Sequence, residues 1–251
     1  MSTSRTNAPA RRSLVVPALV LGVVAILAIA AFAGGSSDDE VVPPPEAGPD
    51  GSADVGPDTE DQSATDADAI MDQLGRRQAD DPLALGEVDA PVLMIEWADF
   101  QCPFCALFAR DTKPDLQPYI DDGTLRIEWR DFPILGDESW TAALASRAAG
   151  EQDAFWPLHD AIFAEDRDRN AGELARDPLV EMASDLGLDT ERFERDLDDP
   201  ALREAVEEDL RIGQQLGITG TPAFLINGQV IIGGQPAEVF IEAVEQAAAS
   251  S

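Results

Sequence analysis

Cys102 and Cys105 are the only cysteines in this chain of 251 residues, and two residues separate them. Such a pair can exchange disulfides when the first sulfur lies at a helix N-terminus, because free N–H groups and the helix dipole stabilise its thiolate. The second sulfur, about one turn further on, can attack a mixed disulfide and release the product. Pro103 suits the first turn of such a helix. The spacing therefore predicts dithiol–disulfide exchange, with Cys102 as the nucleophile and Cys105 as the resolving thiol.

Other roles for a cysteine pair are zinc binding, cluster binding and a structural disulfide. Structural zinc needs four ligands, and besides two cysteines the chain has one histidine, His159. An iron–sulfur cluster lacks ligands for the same reason. A structural disulfide stays open, although closing so small a loop removes little entropy from the unfolded chain. We therefore expect no metal and no cofactor beyond a redox-active Cys102–Cys105 disulfide, and we expect His159 to be a packing or surface residue.

The apolar pattern places the cysteine pair between a strand and a helix. A compact apolar run at 91–98 predicts a strand, and a helix follows from Cys102 to about Leu116. The later elements are a strand at 125–129, a helical stretch interrupted by glycines at 138–216, a hairpin with strands at 223–226 and 230–232, and a last helix at 237–249. This order predicts one α/β sheet domain, with helices inserted between a strand–helix–strand unit and a hairpin–helix unit.

The N-terminal sequence indicates the compartment. Three arginines within residues 1–12 precede an apolar run, residues 13–33, which is long enough to span a hydrocarbon core of about 30 Å. The positively charged flank of such a segment stays on the cytoplasmic side, so residues 1–12 are expected to be cytoplasmic. Residues 13–33 would then be a single-pass anchor, and the chain that follows them would be extracytoplasmic. A cleaved signal peptide is the alternative, since residues 31–33 (AFA) resemble a cleavage site. Either segment exports the domain.

Residues 34–65 consist mainly of Gly, Ser, Pro and acidic residues, which predicts a disordered linker before a folded domain at 66–251. Across the chain, 49 acidic residues against 17 basic ones give a formal net charge of −32. Such a surface repels nucleic acid and anionic lipid, so neither is an expected partner. A salt-adapted surface and a surface that selects basic client proteins both remain open as explanations of the acidity.

Several motifs, in the right order, resemble the DsbA-like thioredoxin family. Residues 99–105 (DFQCPFC), preceded by 89–92 (DAPV), resemble its active-site segment. Residues 216–228 (LGITGTPAFLING) resemble its cis-proline segment, and 233–236 (GGQP) resemble the turn that follows. The similarity covers about residues 83–247, and several motifs together are far more specific than a lone CxxC.

The resemblance implies a thioredoxin fold with an inserted helical domain at roughly 132–217. It also implies that Pro222 follows a cis peptide bond and faces Cys102, with Thr221 contacting the sulfur and the client backbone. Phe104 and apolar residues beside Pro222 are expected to form a shallow groove for the client.

The family also has a buried acid six residues before its first cysteine, and Glu96 occupies that place. The implied role of Glu96 is to give a proton to Cys105 and to take it back, since burial raises a carboxyl pKa towards neutrality. A half-exposed strand glutamate is the alternative. Phe104 stands where the strongest oxidants of the family have histidine, so the direction of electron flow stays open.

The function implied by the resemblance is disulfide formation in exported client proteins that carry free thiols. A membrane quinone-linked oxidase would then be the partner that restores the disulfide. Two alternatives are a thioredoxin-like reductase outside the cytoplasm and a redox-inactive module that binds clients as a chaperone does.

Overall fold

The computed structural model of this protein describes residues 69–250. The predicted basic tail at 1–12, the anchor or signal at 13–33 and the linker at 34–65 lie outside the described residues. Among the residues that are described, no helix is both long enough and apolar enough to cross a membrane.

Five strands form one mixed sheet. In chain order they are β1 (Ala84–Leu85), β2 (Val92–Ala98), β3 (Leu125–Asp131), β4 (Ala223–Ile226) and β5 (Gln229–Ile232). Their order across the sheet is β1-β3-β2-β4-β5; β2 and β3 run parallel, and the other neighbours are antiparallel. Every residue of β2 is buried, which agrees with its almost continuous apolar sequence and its place at the centre of the sheet.

Helices pack against both faces of this sheet. In chain order they are α1 (residues 69–74), α2 (Pro103–Leu107), α3 (Lys113–Asp121), α4 (Asp137–Gly150), α5 (Phe155–Phe163), α6 (Arg176–Asp185), α7 (Thr190–Asp196), α8 (Pro200–Gln215) and α9 (Ala237–Ser250). Val92 and Met94 of β2 pack in one core cluster with α3 and α9. The alternate residues Leu93 and Ile95 pack in another with α1 and α8, as the period of a strand requires.

From β2 onwards, the observed order of elements is the predicted one and is that of a thioredoxin-like α/β fold. The helices between β3 and β4 are α4 to α8, within the range expected for an insertion. Glycine ends or separates these helices where the sequence indicated: Gly150 ends α4, Gly172 lies between α5 and α6, and Gly187 follows α6. Gly172 and Gly187 both have positive φ, which glycine adopts without steric cost.

The helix after Cys102 differs from the prediction in length and regularity. It was expected to end near Leu116, but it continues through a π-helical segment (Phe108–Thr112) into α3. Pro114 lacks the N–H that an α-helix would donate to the carbonyl four residues back, which accounts for an irregularity here. The two-residue strand β1 was not predicted, because so short a strand leaves no periodic signal.

Buried charge is concentrated around Glu128 of β3. One carboxylate oxygen accepts from Arg126 Nε at 2.9 Å and from the backbone N–H of Arg77 at 2.8 Å. The other oxygen accepts from Arg130 Nη2 at 2.9 Å and from the backbone N–H of Arg76 at 2.8 Å. Burial opposes ionisation, but Arg130 and the other donors outweigh it and lower the pKa of Glu128 to about 2. This carboxylate therefore joins β3 to the segment that precedes β1.

Candidate active site

Cys102 lies where the chain passes from the central strand into a helix. It follows the end of β2 at Ala98 by a short loop and is the N-cap residue of α2, with Pro103 at the first helical position. Its N–H donates to the carbonyl oxygen of Asp99 at 2.9 Å, and its own carbonyl accepts from Cys105 N and Ala106 N, both at 3.1 Å. These bonds fix the backbone so that the sulfur lies at the helix N-terminus.

The environment of Cys102 favours its thiolate. The pKa of Cys102 falls from 9.0 to about 6, chiefly because the Cys105 thiol donates a hydrogen bond to its sulfur. Burial opposes the shift, while the side chain of Thr221 and the N–H groups of Phe104 and Cys105 support it. When protonated, the Cys102 thiol donates instead to the carbonyl oxygen of Thr221 at 3.2 Å. Near neutral pH the ionised form, which is the attacking form, predominates.

Cys105 has the opposite character. Burial, the hydrogen bond to Cys102 and the charges of Cys102 and Glu96 raise its pKa well above 9.0, although a backbone hydrogen bond at Asp99 opposes this. Cys105 is 0% exposed, whereas Cys102 is 5% exposed. A partner from solution can therefore reach the Cys102 sulfur first, while the buried Cys105 sulfur can react only with a group already bound at Cys102.

The second motif meets the first at the cysteine. The peptide bond between Thr221 and Pro222 is cis, as expected, and it comes directly before β4. The carbonyl oxygen of Thr221 is the group that lies 3.2 Å from the Cys102 sulfur. The carbonyl of Pro222 accepts from Gly233 N at 2.8 Å, which ties this turn to the end of β5. Two segments more than a hundred residues apart in sequence thus share one site.

Glu96 is fully enclosed in β2, between Trp129 of β3 and Phe224 of β4 in the strand register. Its Oε2 atom finds no hydrogen-bond partner among the described residues. Burial raises the pKa of Glu96 to about 8, against a smaller opposing effect of Lys113. The half-exposed alternative is thus wrong, and the carboxyl can bind or release a proton near neutral pH.

Lys113 is itself held by other groups. Its Nζ donates to Asp160 Oδ1 at 2.6 Å and lies 4.9 Å from the centre of the Trp156 ring. His159 Nδ1 lies 2.8 Å from the same carboxylate oxygen, and its ring packs among aromatic side chains, including Trp129. Burial lowers the pKa of His159 to about 4, so the ring is neutral and has the packing role that the sequence allowed.

Asp99 has a positioning role that the sequence reasoning missed. Its Oδ1 accepts from Gln101 N at 2.8 Å and from Ser139 Oγ at 2.7 Å. Its Oδ2 accepts from the N–H groups of Ile134 and Leu135 at 2.8 and 3.0 Å. One carboxylate therefore connects the loop before Cys102 to the start of the inserted helices. An aspartate three residues before the nucleophile was the available signal, but three of its four partners lie 35 to 40 residues away.

Phe104 projects outward from the CxxC segment and is 59% exposed. The 233–236 turn lies against its backbone, since a Cβ added at Gly234 would come within 3.0 Å of the Phe104 carbonyl oxygen. Leu107, one turn further on, is also exposed. The structure thus places exposed apolar side chains next to the site.

The thiolate at Cys102 can be tested directly by alkylation. In the reduced protein, the rate of iodoacetamide addition to Cys102 should rise with pH and reach half its plateau near pH 6, matching the lowered pKa. Cys105 should stay unmodified over the same range, because it is buried and its pKa is raised. Mass spectrometry of the digested protein separates the two sites. A midpoint near the ordinary thiol value of about 8.5 would contradict the stabilised thiolate.

Comparison with known proteins places this arrangement in a family. A family model described as "Thioredoxin" matches residues 78–246. The chain is 31% identical over 152 residues to a probable disulfide bond formation protein D of Bacillus cereus, covering 59% of this chain and 70% of that one. The crystal structure of oxidised BdbD from Bacillus subtilis superposes with a TM-score of 0.62 at 28% identity, over 66% of this chain and 92% of that one.

A further similarity extends to part of larger proteins. The chain is 31% identical over 188 residues to a Na⁺/H⁺ antiporter NhaA 1 of Salinispora arenicola, covering 74% of this chain. It spans only 28% of that antiporter's length. The similarity therefore concerns one portion of the antiporter.

Proposed function

Because this chain belongs to the DsbA-like thioredoxin family, we propose that it is a thiol–disulfide oxidoreductase that forms disulfides in exported proteins. The observation that carries the proposal is the contrast between its two thiols. Cys102 is the more exposed of the two and has a lowered pKa, and Cys105, one turn away, is fully enclosed and has a raised pKa. Because of this contrast, the Cys102 sulfur forms the mixed disulfide with a client, and the Cys105 sulfur can displace the client from it.

In the proposed cycle, the Cys102–Cys105 disulfide oxidises a client dithiol. A client thiolate attacks Cys102, the disulfide bond breaks, and Cys105 leaves as a thiolate that takes up a proton. A second client thiolate then attacks the client sulfur of the mixed disulfide, and Cys102 leaves as a stabilised thiolate. The client loses two electrons and two protons; the protein ends reduced, with one proton on Cys105 and Cys102 as a thiolate, and the other proton goes to solvent. An oxidase linked to a membrane quinone would accept those two electrons and restore the disulfide.

The compartment is proposed from the sequence. The basic residues at 1–12 and the apolar run at 13–33 support an anchor with the thioredoxin domain on the extracytoplasmic side. The linker at 34–65 would let the domain reach clients near the membrane. Disulfides persist in that compartment, so a disulfide donor has its substrates there.

The reduction potential of the cysteine pair tests the direction of exchange. A lower pKa at the leaving thiolate stabilises the reduced form and makes the protein a stronger oxidant. Since the pKa of Cys102 is about 6, we expect a potential between about −120 mV, as in DsbA, and about −270 mV, as in thioredoxin. Equilibration in glutathione buffers followed by thiol trapping measures it. A value at or below about −270 mV would reverse the proposed direction and favour the reductase.

Glu96 is proposed to transfer the proton of Cys105. Glu96→Gln should slow the steps in which Cys105 gains or loses that proton by about a hundredfold, as is typical when general acid–base catalysis is lost. The rate of these steps should also lose the pH dependence near pH 8 that the raised pKa of Glu96 predicts. Rapid-quench kinetics of the mixed disulfide, measured between pH 5 and pH 9, would show both effects.

A stability measurement separates this role from a structural one. Between the unfolded carboxyl pKa of 4.5 and the folded value of about 8, the unfolded chain has lost a proton that the folded protein keeps. Stability therefore falls as pH rises through this window. Glu96→Gln, which has no proton to lose, should be more stable than the wild type at pH 8, by up to about 4 kcal/mol, while losing activity. Loss of stability together with activity would mean that Glu96 serves the fold.

A further inference from the structure

A cavity of about 150 Å³ opens beside Cys102, on the side of the inserted helices. Its apolar lining comes from the segment around Cys102, with Phe100, Pro103 and Ala106, and from α5 of the inserted helices, with Ile162 and Phe163. Its rim is the loop after α5, at residues 165–168, hereafter the acidic loop. A larger cavity of about 460 Å³ lies beside Lys113 and is not lined by Cys102. The smaller cavity is therefore the one that a group attached to the reacting sulfur would meet.

The acidic loop is fixed against the active site. Asn170, just beyond it, donates its N–H to Gln101 Oε1 at 2.7 Å, and Gln101 Nε2 donates to Asn170 Oδ1 at 3.3 Å. Arg110, in the π-helical segment, donates from Nη2 to Asp166 Oδ1 at 2.7 Å and from Nη1 to the carbonyl oxygen of Phe163 at 3.0 Å. Since Gln101 directly precedes Cys102, the rim is held in place next to the nucleophile.

The charges on this rim do not cancel. Asp166 is paired with Arg110, and Arg167 turns towards the carbonyl oxygens of Ile162 and Glu165 and towards Glu173 at 3.6 Å. Glu165 and Asp168 are exposed and line the cavity. Within the described part of the chain, no basic side chain lies within 4.0 Å of either carboxylate. Two exposed carboxylates without an ion-pair partner therefore border the apolar cavity beside the reactive sulfur, hereafter the groove.

We propose that this groove binds the client segment next to the reacting cysteine and favours segments with lysine or arginine there. Both side chains have an apolar stem, which fits the lining of the groove, and a cationic head, which the carboxylates of Glu165 and Asp168 would meet. An acidic client segment would bring like charges together in the same place. The inference rests on the proposed function and adds a substrate preference: cysteines with basic neighbours are oxidised faster.

Three peptides test the preference. Each has two cysteines and the same sequence, except for lysine, glutamine or glutamate beside the first cysteine. The oxidised full chain is mixed with each peptide at low salt, and the second-order rate of peptide oxidation is measured. Each rate is divided by that of the same peptide with hydroxyethyl disulfide, which removes differences in intrinsic thiol reactivity. The lysine peptide should exceed the glutamate peptide by about tenfold, and 1 M salt should remove most of the difference.

The double variant Glu165→Gln, Asp168→Asn locates the effect. It should reduce the lysine-to-glutamate ratio several-fold. The control Glu191→Gln, Glu204→Gln removes the same charge from exposed positions on α7 and α8 and should keep the wild-type ratio. A ratio near one in the wild type, or an equal reduction in both double variants, would overturn the preference and leave the proposed function standing. If no peptide is oxidised, the proposed function fails, and the preference fails with it.

Discussion

Replacement of Cys102 by serine is expected to reduce dithiol–disulfide exchange to the rate of the buffer alone. A serine hydroxyl forms no disulfide, and Cys105 cannot act in its place, because it is enclosed and its pKa is raised well above 9.0. Oxidation of a fluorescent dithiol peptide measures the loss. The variant should remain folded, since serine is close in size to cysteine and the Cys102 side chain caps no backbone group.

Cys105→Ser is the matched control, because it removes one sulfur of the same pair. Cys102 keeps its place at the helix N-terminus and beside Thr221, so its thiolate should still attack a client that carries a disulfide, forming a mixed disulfide and releasing one client thiolate. Without the second thiol, these adducts should accumulate and be visible on non-reducing gels. If client binding survived unchanged in Cys102→Ser and no mixed disulfide formed with Cys105→Ser, the protein would be a holding module without redox activity.

The largest loss of stability is expected at Glu128 of β3. Glu128→Gln replaces the carboxylate that accepts hydrogen bonds from Arg126, Arg130 and the N–H groups of residues 76 and 77. Removal of one partner leaves buried guanidinium groups without their counter-charge, which typically costs about 3 to 5 kcal/mol. Urea unfolding should show a lower midpoint with an unchanged slope. Glu181→Gln, an exposed position on α6, should change stability by less than about 0.5 kcal/mol.

The same carboxylate predicts how stability depends on acid. The pKa of Glu128 is about 2 in the folded protein against 4.5 as its ordinary value, so the folded state favours the ionised form. The stabilisation is complete above about pH 4.5 and is lost as pH falls towards 2, with a total of about 3 kcal/mol. Glu128→Gln should lack this part of the acid dependence. A parallel pH profile in wild type and variant would show that Glu128 does not carry it.

Local patterns were sufficient to predict most elements and the reactive pair. Continuous apolar residues at the centre of β2 and a proline directly after Cys102 are signals that need no knowledge of distant contacts. The same is true of Asn227 and Gly228, which form the turn between β4 and β5. Helix bounds were harder to predict, because the π-helical segment at 108–112 leaves no periodic signal of its own, and Phe108 within it packs against the distant Phe224 and Phe240.

Long-range contacts explain what the sequence could not settle. Glu96 could have been half-exposed, and only the pairing of β2 with both β3 and β4 encloses it. Charged and apolar residues alternate in β3, yet all of β3 is buried, and Glu128 finds two of its donors at the backbone of residues 51 and 52 positions earlier. The groove beside Cys102 likewise needs Ile162 and Phe163, whose proximity follows from the packing of the inserted helices.

The hydrogen bonds of Asp99 have a consequence for the modularity of this fold. A helical insertion is often regarded as an accessory that could be exchanged or deleted without harm to its host. Here Asp99 holds the backbone before Cys102 through Gln101 and holds the first turn of the insertion through Ser139. Cutting the insertion away would leave a buried carboxylate without most of its donors, directly behind the nucleophile. The hydrogen bonds of Asp99 therefore couple the two parts, and trimming the insertion is expected to disturb the loop that holds Cys102.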